Sequence, residues 1–236
     1  MKTKILSGKE VSASVYSDIK SRIDTLQSRE ITPNLSVLLV GNNPASEVYV
    51  NSKSKRFSKL GLLSETIKLP EDISQDRLIS KIEELNEDNK IHGILVQLPL
   101  PKHIDTDSII KAIKPQKDVD GFHPYNLGTL LMGKPQFIPC TPKGIMRILE
   151  YYKINLSGKN VVVLGRSNIV GRPISILISS KTKNANATTT ICHSGTINIK
   201  KYTKNADIIV VALGIPKFLK ADMVKDYSVI IDVGIN

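Results

Sequence analysis

The chain has 236 residues, 41% of them hydrophobic and 23% charged, an ordinary globular composition with enough apolar material for a core in each of two halves. A net charge of +11 suits anionic partners, but the basic residues are scattered, as in SKSKRFSK and IKPQKD. Trp is absent and aromatics are 5%, so a nucleic-acid binder is not expected. No apolar run reaches the ~18 residues of a membrane helix, MKTKILSGKE lacks the apolar core of a signal peptide, and two cysteines, Cys140 and Cys192, make neither a disulfide framework nor a metal pair; a cytoplasmic protein with free thiols is expected.

Residues 8–30 carry Val11, Val15, Ile19, Ile23 and Leu26 at three- and four-residue steps, the stripe of an amphipathic helix. LSVLLVG (35–41) is a continuous apolar run closing in Gly-Asn-Asn-Pro, a buried strand and its turn. A helix is predicted over 45–60, a strand over 62–69, a helix over 74–88 with Leu78, Ile82 and Leu85 inward, and a strand over 91–98, stopped by Pro99 and Pro101. Residues 114–142 are rich in Pro and Gly and read as an inter-domain crossing and cleft wall, with Cys140 in a Pro-rich turn and a helix over 142–152. Alternation then restarts: strand 160–165, helix 170–180, strand 187–192 carrying Cys192, and strands 206–214 and 228–234. All-apolar strands alternating with helices imply parallel sheets covered on both faces. The expected fold is α/β: two α/β domains with mainly parallel sheets, the second a Rossmann-like, doubly wound nucleotide-binding domain, and a cleft between them. The expected boundaries are 1–120, a crossing and linker helix over 121–152, and 153–236. In such sheets ligands sit beyond the C-terminal strand ends, which directs attention to Gly165, Cys192–Ser194, Gly214 and Gly234.

Four segments carry chemistry. In VVVLGRSNIVGRP (161–173) one glycine ends a strand and a second opens a helix six residues later. The spacing is not G-x-G-x-x-G, yet Gly165 permits a sharp turn, Gly171 lets backbone approach a phosphate, and a helix N-terminus faces the anion. Arg166 and Ser167 stand where a nucleotide ribose would lie, and a guanidinium there favours NADP over NAD; a surface Arg beside a structural turn is the bland alternative. Tyr49 and Lys53, four apart, share one helix face, as a half-buried aromatic beside a solvated charge also would. Gln97 is an amide inside an apolar strand and needs partners, structural or functional. In KDVDGFHP (117–124), Asp118 or Asp120 can cap the turn or accept hydrogen bonds from an amino-substituted ring. The histidines show no ligand spacing, so no metal site is expected.

Taken in order, YVNSKSK (49–55), GILVQLPLP (93–101), KDVDGFHP (117–124), PCTPKGI (139–145), GRSNIVGRP (165–173), CHS (192–194) and VIIDVGIN (229–236) resemble the bifunctional methylenetetrahydrofolate dehydrogenase/methenyltetrahydrofolate cyclohydrolases, from about Ile5 to Asn236. The resemblance implies NADP-dependent oxidation of 5,10-methylenetetrahydrofolate and hydrolysis of the methenyl product to 10-formyltetrahydrofolate. It implies Lys53 as the central catalytic residue, Gln97 bonded to it, and Tyr49 packed on the folate ring. Asp120 would hold the pterin amino and ring nitrogens. Arg166, Ser167 and Ser194 would contact the NADP 2′-phosphate and ribose, Gly165 and Gly171 its backbone-facing parts, and Thr141 and Ile235 would lie near the nicotinamide. A homodimer is also implied. The family continues past VGIN with a Pro-Gly-Gly-Val-Gly-Pro-Met-Thr segment and a helix returning to the first domain, so this chain is expected to be cut short, with an open cleft and an under-covered first sheet. The alternatives are a dehydrogenase that has lost hydrolysis, a truncated relative that binds NADP or folate with little or no turnover, and a basic nucleic-acid binder.

Overall fold

The computed structural model describes residues 3–234. Its contacts divide the chain into two units: Ser12–Tyr125, and the remainder, up to Val11 and from Asn126 onward.

The first unit is built on three parallel strands, β1 (Asn34–Val40), β2 (Leu63–Leu69) and β3 (Gly93–Val96), in the order β2-β1-β3. β1 is central because it is apolar on both faces. Leu38 and Val40 enter one core with Leu78, Ile82 and Ile109, while Leu35, Val37 and Leu39 enter another with Val50 and Leu95. The amphipathic stripe read from the first predicted helix lies on α1 (Gly8–Gln27), whose Val11 and Ile23 are buried. α2 (Pro44–Lys59) starts where Asn43 accepts from the Ser46 amide at 3.1 Å and proline occupies the first turn, whose own amide would be unpaired in any case. α3 (Gln75–Glu87) is capped by Ser74 and buries Leu78, Ile82 and Leu85.

Two features depart from the expectation for this half. Thr106–Ala112 forms a short helix, α4, capped by the Asp105 carboxylate at 2.9 Å from the Ser108 amide. β3 is shorter than the predicted 91–98. The ladder nevertheless continues past both ends, with His92 N donating to Asn34 O at 3.0 Å and Gln97 N to Leu38 O at 2.9 Å. On the far side of β3, Ile94 N donates to Lys117 O at 2.8 Å and Ile94 bridges Asp118 in parallel, so 117–118 serves as an abbreviated fourth edge. Lys117 anchors that edge by donating to the Leu85 and Asp88 carbonyls, both at 2.8 Å, at the end of α3. Burial, with Lys114 nearby, lowers its ammonium pKa.

The stretch 114–142, which crosses from the first unit into the second, is less irregular than its Pro and Gly content suggests. Pro124–Leu131, spanning the boundary, is helical (α5), and α6 (Cys140–Tyr151) begins two residues before the predicted helix, so Cys140 opens a helix rather than lying in a turn. Proline at the first positions of a helix has no amide to lose, which is why Pro-rich sequence conceals helix starts. The sheet of the second unit is parallel, β5 (Thr188–Cys192)-β4 (Asn160–Leu164)-β6 (Ile208–Val211)-β7 (Val229–Asp232). β4 divides its side chains as β1 does. Val161 and Val163 face Ile145, Leu149, Ile174 and Ile178 of α6 and α7 (Gly171–Ser179). Val162 and Leu164 face a second layer carrying Ile199, Phe218 and Leu219, which includes the short helix α8 (Ile199–Thr203). The amino-terminal segment belongs to this unit, its Ser7 amide donating to the Tyr152 hydroxyl at 2.7 Å. Among the described residues, no helix is long and apolar enough to cross a membrane.

Candidate functional site

Both sheets start in the middle. In the first unit the chain runs from β1 to β2 on one side and then to β3 on the other; in the second it runs from β4 to β5 and then to β6. Helices leave such a sheet in opposite directions at the switch, opening a crevice beyond the strand C-termini. Each unit therefore has one privileged edge, between β1 and β3 and between β4 and β6.

At the first edge, Gln97 follows β3 directly, and its amide is oriented from two sides. Its Nε2 donates to Leu98 O at 2.8 Å, and its Oε1 accepts from Lys53 Nζ at 3.2 Å. This answers what a polar residue does inside the apolar run: the carbonyl end of the amide is turned toward the half-buried Lys53 of α2. Tyr49, one helical turn before Lys53, is 48% exposed, a large aromatic left partly uncovered on the same side of α2. The two acids of KDVDG part company. Asp118 is buried and organises the turn, its Oδ1 accepting from the Gly121 and Phe122 amides at 3.1 and 3.3 Å and its Oδ2 from His123 N at 2.8 Å. Asp120, half-buried, lines a narrow recess with Ile94, Val96, Leu98, Ile109 and Phe122. An ammonium bonded to an amide, an exposed aromatic and a carboxylate beside an apolar recess can bind a flat, amino-substituted ring and carry out proton chemistry next to it.

At the second edge, Gly165 ends β4 with φ of +112°, a conformation that strains any other residue. It is also the place where three strands converge: Gly165 N donates to Cys192 O at 2.8 Å and Ala212 N to Leu164 O at 2.8 Å. A Cβ on Gly165 would fall 2.4 Å from the Ala212 carbonyl oxygen, and one on Gly171 would fall 2.2 Å from Gly165 O. The first turn of α7 is thus pressed against the strand-end turn, with backbone where side chains would otherwise stand. Ser167 caps this turn, its Oγ accepting from Val170 N at 3.1 Å and Gly171 N at 3.4 Å. Its hydroxyl proton remains available to an acceptor outside. Arg166 is exposed and has no hydrogen bond or ion pair among the described residues. Ser194, exposed, sits in the turn after β5 held by His193 N to Thr196 Oγ1 (2.9 Å) and Gly195 N to His193 Nδ1 (3.1 Å). Because Leu164 pairs with Cys192, Arg166 and Ser194 leave neighbouring strands at the same end. This backbone cradle, with a guanidinium and two hydroxyls at its rim, fits a dinucleotide bearing an extra phosphate. Thr141, exposed, is the second residue of α6. Ile235 lies outside the described residues. No group of three or more metal-ligating side chains occurs among the described residues.

Sequence reasoning paired Lys53 with Tyr49 by helical spacing, but not with Gln97 by geometry, since a contact across 44 positions leaves no local pattern. The residues of KDVDG by themselves also left Asp118 and Asp120 undivided, Asp120 being assigned to the ring nitrogens only by the family resemblance. The glycine directly after Asp120 in KDVDGFHP was a signal for a turn without saying which acid would hold its amides.

Residues 6–120 match the model of the tetrahydrofolate dehydrogenase/cyclohydrolase catalytic domain, and residues 139–236 that of the NAD(P)-binding domain of the same family. The bifunctional protein FolD of Campylobacter concisus is 52% identical over 233 residues (99% of this chain, 81% of the relative), and that of Acetivibrio thermocellus 49% identical over 236 residues (100% and 81%). Among solved structures, the bifunctional FolD enzyme of Campylobacter jejuni superposes with a TM-score of 0.94 at 46% identity, covering 99% of this chain and 82% of that one. The Trypanosoma brucei dehydrogenase-cyclohydrolase, complexed with NADP cofactor and inhibitor, does so with a TM-score of 0.92 at 33% identity, covering 99% and 80%. With matching models across both halves and relatives near 50% identity along its whole length, the chain belongs to the tetrahydrofolate dehydrogenase/cyclohydrolase family.

Proposed function

We infer that this protein is a bifunctional enzyme of folate one-carbon metabolism. It oxidises 5,10-methylenetetrahydrofolate to 5,10-methenyltetrahydrofolate with NADP, and hydrolyses the methenyl compound to 10-formyltetrahydrofolate. Beside family membership, the observation that carries this reading is the Lys53–Gln97 hydrogen bond at the strand crossover of the first unit. A pure binding module has no use for a lysine amine oriented by an amide at the edge where a ligand sits.

NADP, when bound, accepts the hydride. The chain's own residues do the rest. Tyr49 packs on the folate ring and Asp120 accepts hydrogen bonds from its amino and ring nitrogens. These contacts fix the one-carbon bridge, and alignment is most of what hydride transfer requires. Water then adds to the methenyl carbon, and ring opening needs protons moved at oxygen and nitrogen. Lys53, held by Gln97, is the group within reach of that chemistry. Gly165 and Gly171 admit the cofactor phosphates to the start of α7. Arg166, Ser167 and Ser194 read the 2′-phosphate and ribose, and Thr141 borders the nicotinamide. The protein works in the cytoplasm as a homodimer on small-molecule ligands.

The test is an absorbance assay with methylenetetrahydrofolate and NADP that follows NADPH and the methenyl species separately. NADPH should accumulate while the methenyl species rises and decays. NADPH with a stable methenyl product would leave a dehydrogenase alone, and neither signal would leave a binding protein. Sedimentation at enzyme-assay concentration tests the dimer.

A further inference from the structure

The excess positive charge is not shared by the two units. Ser12–Tyr125 contains 15 Lys and Arg against 16 Asp and Glu, whereas the other unit contains 18 against 6. The whole net charge of +11 therefore resides on the nucleotide-binding unit, and the catalytic unit is close to neutral. A general basic drift in composition, or a demand for solubility, would load both units alike.

The cations also have a place. The layer covering the Val162 and Leu164 face of the sheet leaves directly from the C-terminal ends of β5 and β6. Lys200, Lys201 and Lys204 stand on and after α8, which follows the Ser194 turn, and Lys217 and Lys220 lie in the connection that leaves β6. All five are exposed. Lys200 is paired with Asp222 at 2.6 Å, but Lys201, Lys204, Lys217 and Lys220 have no carboxylate in ion-pairing range among the described residues. Lys217 and Lys220 follow β6 at the strand end from which Arg166 and Ser194 also leave, and Lys201 lies on the helix after the Ser194 turn, whereas Lys204 stands three residues before Asp207, near the start of β6.

We propose that this lysine layer steers dinucleotides to the nucleotide-binding unit and favours NADP(H) over NAD(H) at the encounter stage, before any contact with Arg166. The inference rests on the reading of that unit as an NADP site. A field of one sign beside a binding edge raises the association rate of an oppositely charged ligand by about 10–10³-fold, and the gain falls steeply with salt. NADP(H) carries a phosphate more than NAD(H), so the same field acts on it more strongly. Discrimination therefore enters the association rate through the layer, and the dissociation rate through Arg166.

Stopped-flow mixing of the full chain with NADPH and with NADH, read by dihydronicotinamide fluorescence, tests this from about 10 mM salt, where the Debye length is about 30 Å, to about 150 mM, where it is about 8 Å. The NADPH association rate should fall more steeply with salt than that of NADH. The triple variant Lys201→Glu, Lys217→Glu, Lys220→Glu should lose at least tenfold of the NADPH association rate at low salt, less for NADH, with dissociation rates unchanged within about twofold. A control with the same change of charge on the other unit, Lys20→Glu, Lys90→Glu, Lys111→Glu, should lose much less. Equal salt slopes for the two cofactors, equal losses in the two variants, or a loss carried by dissociation overturns the steering proposal while leaving the NADP site intact. Failure of the parent protein to bind NADPH at all overturns the NADP reading, and the steering proposal with it.

Discussion

At the residue scale the consequential contact is Lys53 Nζ to Gln97 Oε1. Replacing Lys53 by Met keeps the stem and removes the amine. Hydrolysis should drop by about 10²–10⁴-fold, the usual contribution of a positioned acid or base, and hydride transfer by much less, because it depends on alignment. The two rates are separable in the absorbance assay, and a cyclohydrolase rate retained within about threefold overturns the assignment. Arg166 has no partner to lose inside the described protein, so Arg166→Ala should leave the melting temperature unchanged. A charge-assisted hydrogen bond contributes about 1.5–3 kcal/mol, so NADP affinity should fall tenfold or more relative to NAD, measured by titration with both cofactors. The acids of KDVDG should also separate. Asp118→Ala strands three backbone amides, two of them half-buried at most, and at ~1–3 kcal/mol for a stranded group it should lower the melting temperature by several degrees. Asp120→Asn should instead raise the KM for folate with a smaller change in melting temperature. The reverse pattern would exchange their roles.

At the element scale, the beginnings of the strands in the second sheet are tied by one carboxylate. Asp207, just before β6, accepts from Lys225 Nζ at 2.6 Å through Oδ1 and from the Asn160 amide, at the start of β4, at 2.8 Å through Oδ2. The Lys225 hydrogen bond, then that amide, hold the Asp207 carboxyl below the ordinary carboxylate range. A depressed folded-state pKa means that the ionised form contributes stability. That contribution is complete above the unfolded-state value of about 3.9 and is lost as pH falls through the lower folded-state value. Asp207→Asn should therefore melt at a lower temperature than the parent at pH 7, and the gap should close as the pH is taken below about 3.9. A gap that persists in acid would mean that the amide bond to Asn160, not the charge, is what matters. The same element-level view explains the hidden helix and the early start of another. α5 lies inside a stretch whose Pro and Gly content reads as loop, because a helix start tolerates proline and the apolar period over its eight residues is too short to stand out, and for the first reason α6 begins at Cys140, two residues ahead of the predicted helix.

At the scale of the whole molecule, ligand binding and stability are linked. NADP at a hundredfold over its Kd should add about 2.7 kcal/mol to the stability of the unit that binds it, a rise of about 5–10 °C in melting temperature for a protein of this size. Arg166→Ala should lose about half of that protection at the same NADP concentration, and NAD should protect less than NADP. Equal protection by both dinucleotides would place the 2′-phosphate reading elsewhere. What sequence alone determined follows from local physics. The runs of β1 and β4 had to be buried strands of parallel sheets, because continuous apolar runs are satisfied by burial on both faces, and the glycines of GRSNIVGRP had to mark a tight strand-to-helix turn. The order of seven short motifs was enough to name the family, since each is a local string. Only the tertiary structure decided which acid of KDVDG holds the turn, that 117–118 runs along β3, and that the positive charge gathers on one unit, and it supplied the Lys53–Gln97 contact that the family resemblance had implied but no local pattern could show. The Lys53–Gln97 pair and the 117–118 edge depend on partners tens of residues apart in the chain, brought together by sheet registry and packing, and such partners leave no periodic trace in the sequence; the Asp118 turn is local, but either acid of KDVDG is the right residue type to hold it.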